Sequence, residues 1–224
     1  MGETAFVLIG GIDEAGRGPV IGPMVMVIAV TDDKGLEKLK NIGVRDSKQI
    51  KPERREQMYD EILAALKGHA VRIIQPREID SYVARHSLNE LEAMKAADLI
   101  ADVDPRPDIV YVDAPDPDPE KYRARIERYL KEPPQIISEH KADVKYPIVS
   151  AASIIAKVLR DRAVREIEKV WGKFGTGYPH DERTIKQLER ILQEKGDFPE
   201  FVRQSWSTAR RMKERRRQRT LLDF

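Results

Sequence analysis

The order of apolar and polar positions predicts a chain that alternates strands with helices. Ala5 to Ile12 is an apolar run bounded by Gly10 and Gly11, and Val20 to Val30 is a second, β-branched run broken early by Gly22-Pro23; both read as strands. Between Pro52 and Leu66 the period becomes helical, with Met58, Ile62, Leu63 and Leu66 on one face and Pro52 at a first helical position. Ser87 and Glu90 form a capping-box pattern that opens a helix through Leu91, Met94 and Leu99. A short strand, Ile109 to Val112, ends on Asp113 and a proline-rich turn, followed by a helix from about Glu120 to Leu130. Gln135 to Ser138 then reads as a strand that leads to Glu139 and His140. Helices follow from Ile148 to Val170, from Glu182 to Glu194 and from Glu200 to Arg217. Paired strands followed by strand and helix alternation predict an α/β domain with a helical C-terminal region.

A chain of 224 residues can bury the core of one large domain, with room for a small appendage. The 40 Lys and Arg nearly balance 38 Asp and Glu, so the net charge of +2 says little about partners. Distribution says more, because Arg210, Arg211, Lys213, Arg215, Arg216, Arg217 and Arg219 make the C-terminal end a basic patch. With no cysteine, disulfides and thiolate metal sites are excluded, and any metal must be held by oxygen or imidazole. No apolar run approaches the roughly 18 residues of a membrane span, and the N-terminus lacks a secretory signal pattern. A soluble, cytoplasmic protein without membrane contact is expected.

The candidate chemistry lies in acids at strand ends and helix starts: Asp13 and Glu14, Asp113, and Asp143. Carboxyl ends of neighbouring strands converge in α/β sheets, which would gather these acids in one cleft. Clustered carboxylates raise one another's pKa unless they share a cation. Oxygen ligands suit a hard ion, Mg²⁺ or Mn²⁺, and two such ions roughly 4 Å apart clamp the attacking and leaving oxygens of a phosphoryl displacement. Arg17, Lys48 and Lys141 are candidate bases to offset the acids. Gly11 and Gly16 have the spacing of a nucleotide-binding P-loop, but Arg17 stands where that loop needs Lys and Gly18 where it needs Ser or Thr. The Gly-Arg-Gly turn instead permits close backbone approach to a ligand such as a sugar hydroxyl.

Six segments occur in the order and spacing of archaeal ribonuclease HII: Asp13-Glu-Ala-Gly-Arg-Gly-Pro19, Asp46-Ser-Lys48, Tyr111-Val-Asp113, Glu139-His-Lys-Ala-Asp143, Ser150-Ala-Ala-Ser-Ile-Ile-Ala-Lys157 and Gly175-Thr-Gly-Tyr178. The chain resembles that family over nearly its whole length. The resemblance implies a ribonuclease H-like mixed sheet flanked by helices, with residues 1–180 as catalytic domain and 181–217 as helical C-terminal region. It implies that Asp13, Glu14, Asp113 and Asp143 hold two Mg²⁺ or Mn²⁺ ions. Gly16, Arg17 and Gly18 match the turn that senses the ribose 2′-hydroxyl, Tyr178 matches the tyrosine that packs on the sugar at an RNA-to-DNA junction, and Lys48 matches a residue that contacts substrate phosphate. His140 is expected either to move protons near the metals or to orient Asp143. Asp161, beside Arg160, Arg162 and Arg165, is expected on a surface ion-pair face.

The implied activity is hydrolysis of RNA paired to DNA, including cleavage on the 5′ side of a ribonucleotide embedded in duplex DNA, leaving 3′-hydroxyl and 5′-phosphate ends. Such an enzyme serves ribonucleotide excision repair and RNA primer removal. A hybrid-binding module without turnover is the non-enzymatic alternative. Residues 218–224 carry Gln218, Leu221 and Phe224 at the spacing of a sliding-clamp-binding peptide, although the usual second aromatic is missing. A monomer is expected.

Overall fold

The computed structural model describes residues 7–44 and 50–222, with side chains as far as 218. Among the described residues, five strands form one sheet in the spatial order β3 (Gly68–Ile74), β2 (Met24–Thr31), β1 (Ile9–Ala15), β4 (Ile109–Asp113), β5 (Gln135–Glu139). Strand β1 (Ile9–Ala15) pairs antiparallel with β2 (Met24–Thr31), every residue of which is buried. Helix α1 (Asp33–Ile42) is opened by Asp32, which accepts from Gly35 N, and closed by Gly43 in the left-handed region. Helix α2 (Pro52–Ala65) starts on its proline and buries Met58 and Ile62. Next come β3 (Gly68–Ile74), α3 (Pro76–Val83) and α4 (Leu88–Asp102). Strand β4 (Ile109–Asp113) runs parallel to β1, and β5 (Gln135–Glu139) runs parallel to β4; α5 (Pro119–Glu127) lies between them in sequence. The chain continues through α6 (Ala142–Lys145), α7 (Pro147–Trp171), α8 (Glu182–Lys195) and α9 (Ser207–Leu222). Among the described residues, no helix is long and apolar enough to cross a membrane.

Two compact units share the chain. The first takes Met1–Ala15, Val25–Ile73 and Asn89–Leu159, and the second takes Gly16–Met24, Ile74–Leu88 and Arg160–Phe224. The contiguous division at 180 expected from sequence does not follow these units, because residues 16–24 group with the C-terminal helices.

In the first unit, Val25, Val27 and Ala29 of β2 pack with Met58, Ile62 and the small, buried early turns of α7. A Cβ at Gly11 would stand 2.6 Å from Ile148 C and Val149 N, so only glycine lets β1 take the first turn of α7 directly on its backbone. In the second unit, Val20 and Ile21 join Phe174, Leu188, Ile191, Phe198, Val202 and Met212 in a separate core. An isolated bridge pairs Ile21 with Val202.

Three sequence expectations are corrected. Asp13 and Glu14 lie inside β1 rather than after it, because pairing with Val27 and Met26 extends the strand to Ala15. Val20 and Ile21 precede β2, which starts at Met24. The last helix starts at Ser207, not Glu200, because Val202 and Arg203 use their backbone in contacts to residues 20 and 21. The elements α1, β3, α3 and α6 were not expected from the sequence. Half of α1 is charged, and β3 is a half-exposed edge strand with little alternation.

Candidate active site

The parallel register sets the first part of the site. Ile12 pairs with Val112 and Asp113 with Glu139, so Asp13 and Asp113 come level, one residue beyond the paired positions, at the carboxyl edge of β1 and β4. Asp13 is buried, at 5% exposure, and accepts a hydrogen bond from Glu14 N at 2.7 Å. Burial raises its carboxyl to about 6 and the Asp113 charge pushes in the same direction, against the Lys157 ammonium and a hydrogen bond from Ser153.

Asp113 accepts a hydrogen bond from Ala142 N at 2.8 Å. That contact ties β4 to the turn that opens α6 and carries the buried Asp143. Lys141 is the one non-glycine residue with positive φ among the described residues, at 58°, where it caps α6. Glu14 is half-buried and follows Asp13 along the strand, opposite Met26 of β2. Among the described residues, no three His, Asp or Glu side chains already form a ligand cage. The donor set nonetheless fits a hard divalent cation: it offers only oxygens, and a buried carboxyl whose anion is disfavoured by burial and by its neighbour gains from a shared positive charge.

Several residues beside these acids were given no role from sequence. Lys157 donates to Ser153 Oγ at 2.5 Å, one helical turn apart on α7, and Ser153 in turn bonds Asp13. The Ser-to-Lys spacing of four was the available signal. Glu139 pairs with Lys145 and accepts from Tyr146 Oη at 3.2 Å, while the Tyr146 ring stacks on Tyr111. Lys145 holds the Glu139 carboxyl below its usual range. His140 does not orient Asp143 as expected: its ring nitrogens lie 3.4 Å from Ala114 O and 3.3 Å from Pro117 O, on the loop after β4.

The second unit holds the Gly-Arg-Gly turn and Tyr178. Gly16 has φ of +84°, and a Cβ there would stand 2.6 Å from the Arg160 side chain and 2.7 Å from Pro23 O. A Cβ on Gly18 would stand 3.0 Å from the Tyr178 ring, so the exposed Tyr178 lies along the turn. The loop before it is held by Asp181, which accepts from Thr176 N at 2.7 Å and Arg183 N at 2.9 Å. Asp161, 29% exposed, pairs with Arg160 Nη1 at 3.9 Å, but the Arg160 side chain is itself only 12% exposed, and its Nε and Nη2 are buried with no hydrogen-bond partner among the described residues. Burial lowers its pKa. Lys48 and Phe224 lie outside the described residues; Gln218 is exposed on α9, and Leu221 lies within that helix.

A family model described as ribonuclease HII matches residues 10–209. Ribonuclease HII of Pyrococcus horikoshii is 47% identical over 213 residues, covering 95% of this chain and 96% of that protein. That of Pyrococcus furiosus is 46% identical, covering 92% and 91%. A crystal structure of ribonuclease H2 from Pyrococcus horikoshii superposes with a TM-score of 0.90 over 95% of this chain and 100% of that one. The ribonuclease HII of Archaeoglobus fulgidus, solved in complex with PCNA, is 37% identical with a TM-score of 0.81 over 90% of this chain and 96% of that one. With the family model spanning most of the sequence and near-full-length relatives at this identity, the chain belongs to the ribonuclease HII family and is a ribonuclease H.

Proposed function

We propose that the protein hydrolyses the RNA strand of RNA/DNA hybrids and cuts on the 5′ side of ribonucleotides embedded in duplex DNA, leaving 3′-hydroxyl and 5′-phosphate ends. Asp13, Glu14, Asp113 and Asp143 are the residues that would hold two divalent cations, Mg²⁺ or Mn²⁺. The observation that carries this reading is that Asp13 and Asp113 stand level, one residue beyond the last registered pair of β1 and β4, with Asp13 buried and its pKa raised to about 6. Buried like charges at the meeting edge of parallel strands are costly unless a cation offsets them. Such cations supply Lewis acidity to the oxygens of an in-line displacement.

The chain's own residues do the rest. Ser153 and Lys157 hold the Asp13 carboxylate in one orientation, and the Ala142 N–H holds that of Asp113. Gly16 to Gly18 meet the 2′-hydroxyl, the group that separates RNA from DNA at a given sugar, and Tyr178 packs on the sugar. Lys48 contacts a phosphate of the substrate backbone. The cellular roles that follow are ribonucleotide excision repair and RNA primer removal. The basic α9 carries Gln218 and Leu221, which with Phe224 dock on a sliding clamp; the solved PCNA complex of the Archaeoglobus fulgidus relative supports this partner.

The direct test uses short duplexes carrying a single embedded ribonucleotide, with all-DNA and all-RNA duplexes as controls, in Mg²⁺ or Mn²⁺. Nicking of the first alone, with a 3′-hydroxyl and a 5′-phosphate at the cut, is expected. Binding without any nick would leave only a hybrid-binding module.

A further inference from the structure

Two of the three residues in the turn Gly16-Arg17-Gly18 have no side chain, and Gly16 sits in the left-handed region. Its order comes from elsewhere in the second unit. Arg203 is fully buried, at 0% exposure. Its Nη2 donates to Gly16 O at 2.5 Å and to Gly22 O at 3.0 Å, its Nη1 to Arg17 O at 2.9 Å, and its Nε to Gly22 O at 3.1 Å. Its backbone N–H donates to Val20 O at 2.8 Å. Trp206 Nε1 takes the remaining carbonyl of the turn, Gly18 O, at 3.0 Å, and the Arg203 guanidinium lies 4.9 Å from the centre of the Trp206 ring. All three carbonyls of the turn are thereby claimed by two side chains, Arg203 standing 187 residues along the chain from Gly16.

A trans peptide sets its N–H opposite its C=O. Drawing the carbonyls of Gly16 and Arg17 towards Arg203 therefore turns the N–H groups of Arg17 and Gly18 to the opposite side. The third peptide leads into Pro19, which has no N–H to present. We propose that Arg203, with Trp206 as its second arm, is the positioning residue for ribose recognition: it fixes the peptide planes of the Gly16–Gly18 turn and so sets preference for a ribonucleotide over a deoxyribonucleotide. The inference rests on the reading of that turn as the sugar-sensing element. Arginine suits the task because its planar fork reaches several carbonyls at once and keeps its charge when buried, whereas a lysine ammonium is a single point of donation.

The readout is the ratio of dissociation constants for an all-DNA duplex and the same duplex with one ribonucleotide, measured with Ca²⁺ in place of Mg²⁺, beside kcat/KM for nicking in Mg²⁺. Arg203→Lys should reduce the preference by more than about tenfold, and Trp206→Phe, which removes a single hydrogen bond, by about three- to tenfold. Leu188→Ala, in the core of the same unit, should lower Tm and leave the ratio unchanged. Gly18→Ala tests the underlying reading by placing a methyl group against Tyr178. If Gly18→Ala lowers the ratio while Trp206→Phe and folded Arg203→Lys keep it, the positioning role of Arg203 is refuted and the sugar-sensing turn stands. If Gly18→Ala keeps it too, both are refuted. An equal drop in Leu188→Ala would reduce the effect to lost stability and refute the positioning role. Should Arg203→Lys fail to fold, Trp206→Phe decides alone.

Discussion

Asp13 and Asp113 stand level on adjacent parallel strands, and the charge of the second adds to burial in raising the carboxyl of the first to about 6. In the cation-free protein the folded chain therefore binds this proton more tightly than the unfolded chain does. The contribution of Asp13 to stability is present below its unfolded value of 3.8 and is lost as pH rises through about 6. A divalent cation competes with the same proton, so cation affinity should climb over that interval. Calorimetric titration of Mg²⁺ or Mn²⁺ on either side of about pH 6 checks this; a flat affinity would remove Asp13 from the ligand set.

Asp13→Asn keeps the shape of the side chain and removes its charge. Cleavage of a single-ribonucleotide duplex should fall by at least about a thousandfold, the scale of several kcal/mol of lost transition-state stabilisation. Circular dichroism should remain that of the native fold, and thermal stability should hold or rise, because a buried charge with a like neighbour is gone. Robust cation-dependent cutting by this variant contradicts the assignment.

Lys157→Met removes the ammonium that opposes burial at Asp13. The Asp13 carboxyl should then move still higher, and the acid limb of the pH–rate profile should shift towards neutrality. Carbon-13 titration of the Asp13 carboxyl reads the first effect and kcat/KM against pH the second. An unmoved acid limb would make Lys157 a bystander.

Asp181 closes the loop before Tyr178, and its carboxyl is held well below the usual range by hydrogen bonds from Thr176 and then from Arg183. A depressed folded value means stability that is present above the unfolded pKa and lost as pH falls below the ordinary carboxylate range. Asp181→Ala should lower Tm at neutral pH, and the gap to the wild type should narrow in acid. Equal gaps at both pH values would show that its charge contributes nothing.

Deletion of residues 218–224 should abolish binding to a sliding clamp in pull-down or surface plasmon resonance while leaving kcat/KM on short duplexes within about twofold, since a docking peptide adds local concentration rather than chemistry. Undiminished clamp binding would move the interface elsewhere.

The acids, the turn and the tyrosine stand out in the sequence through motifs shared in order and spacing with ribonuclease HII, and it is that resemblance that implies their roles. The sequence did not expose Arg203 or Arg160, which look like two more members of an arginine-rich chain until burial distinguishes them. The carbonyl contacts of the His140 ring were hidden for a related reason, since adjacency to Asp143 in sequence says nothing about which carbonyls the ring meets on the loop after β4. Strand β3 escaped notice because an edge strand with one buried residue carries little period.

The core of the second unit has a consequence for how the chain can be divided. Val20 and Ile21 come from the N-terminal tenth of the molecule, yet their apolar partners Leu188, Ile191, Val202 and Met212 come from its last quarter. A polypeptide stopped at residue 180 would keep the first set and expose it. Severed halves should therefore be insoluble apart and recover when co-expressed, and neither half can be exchanged between relatives as a cassette: the Gly16–Gly18 turn is inherited only with the far end of the chain.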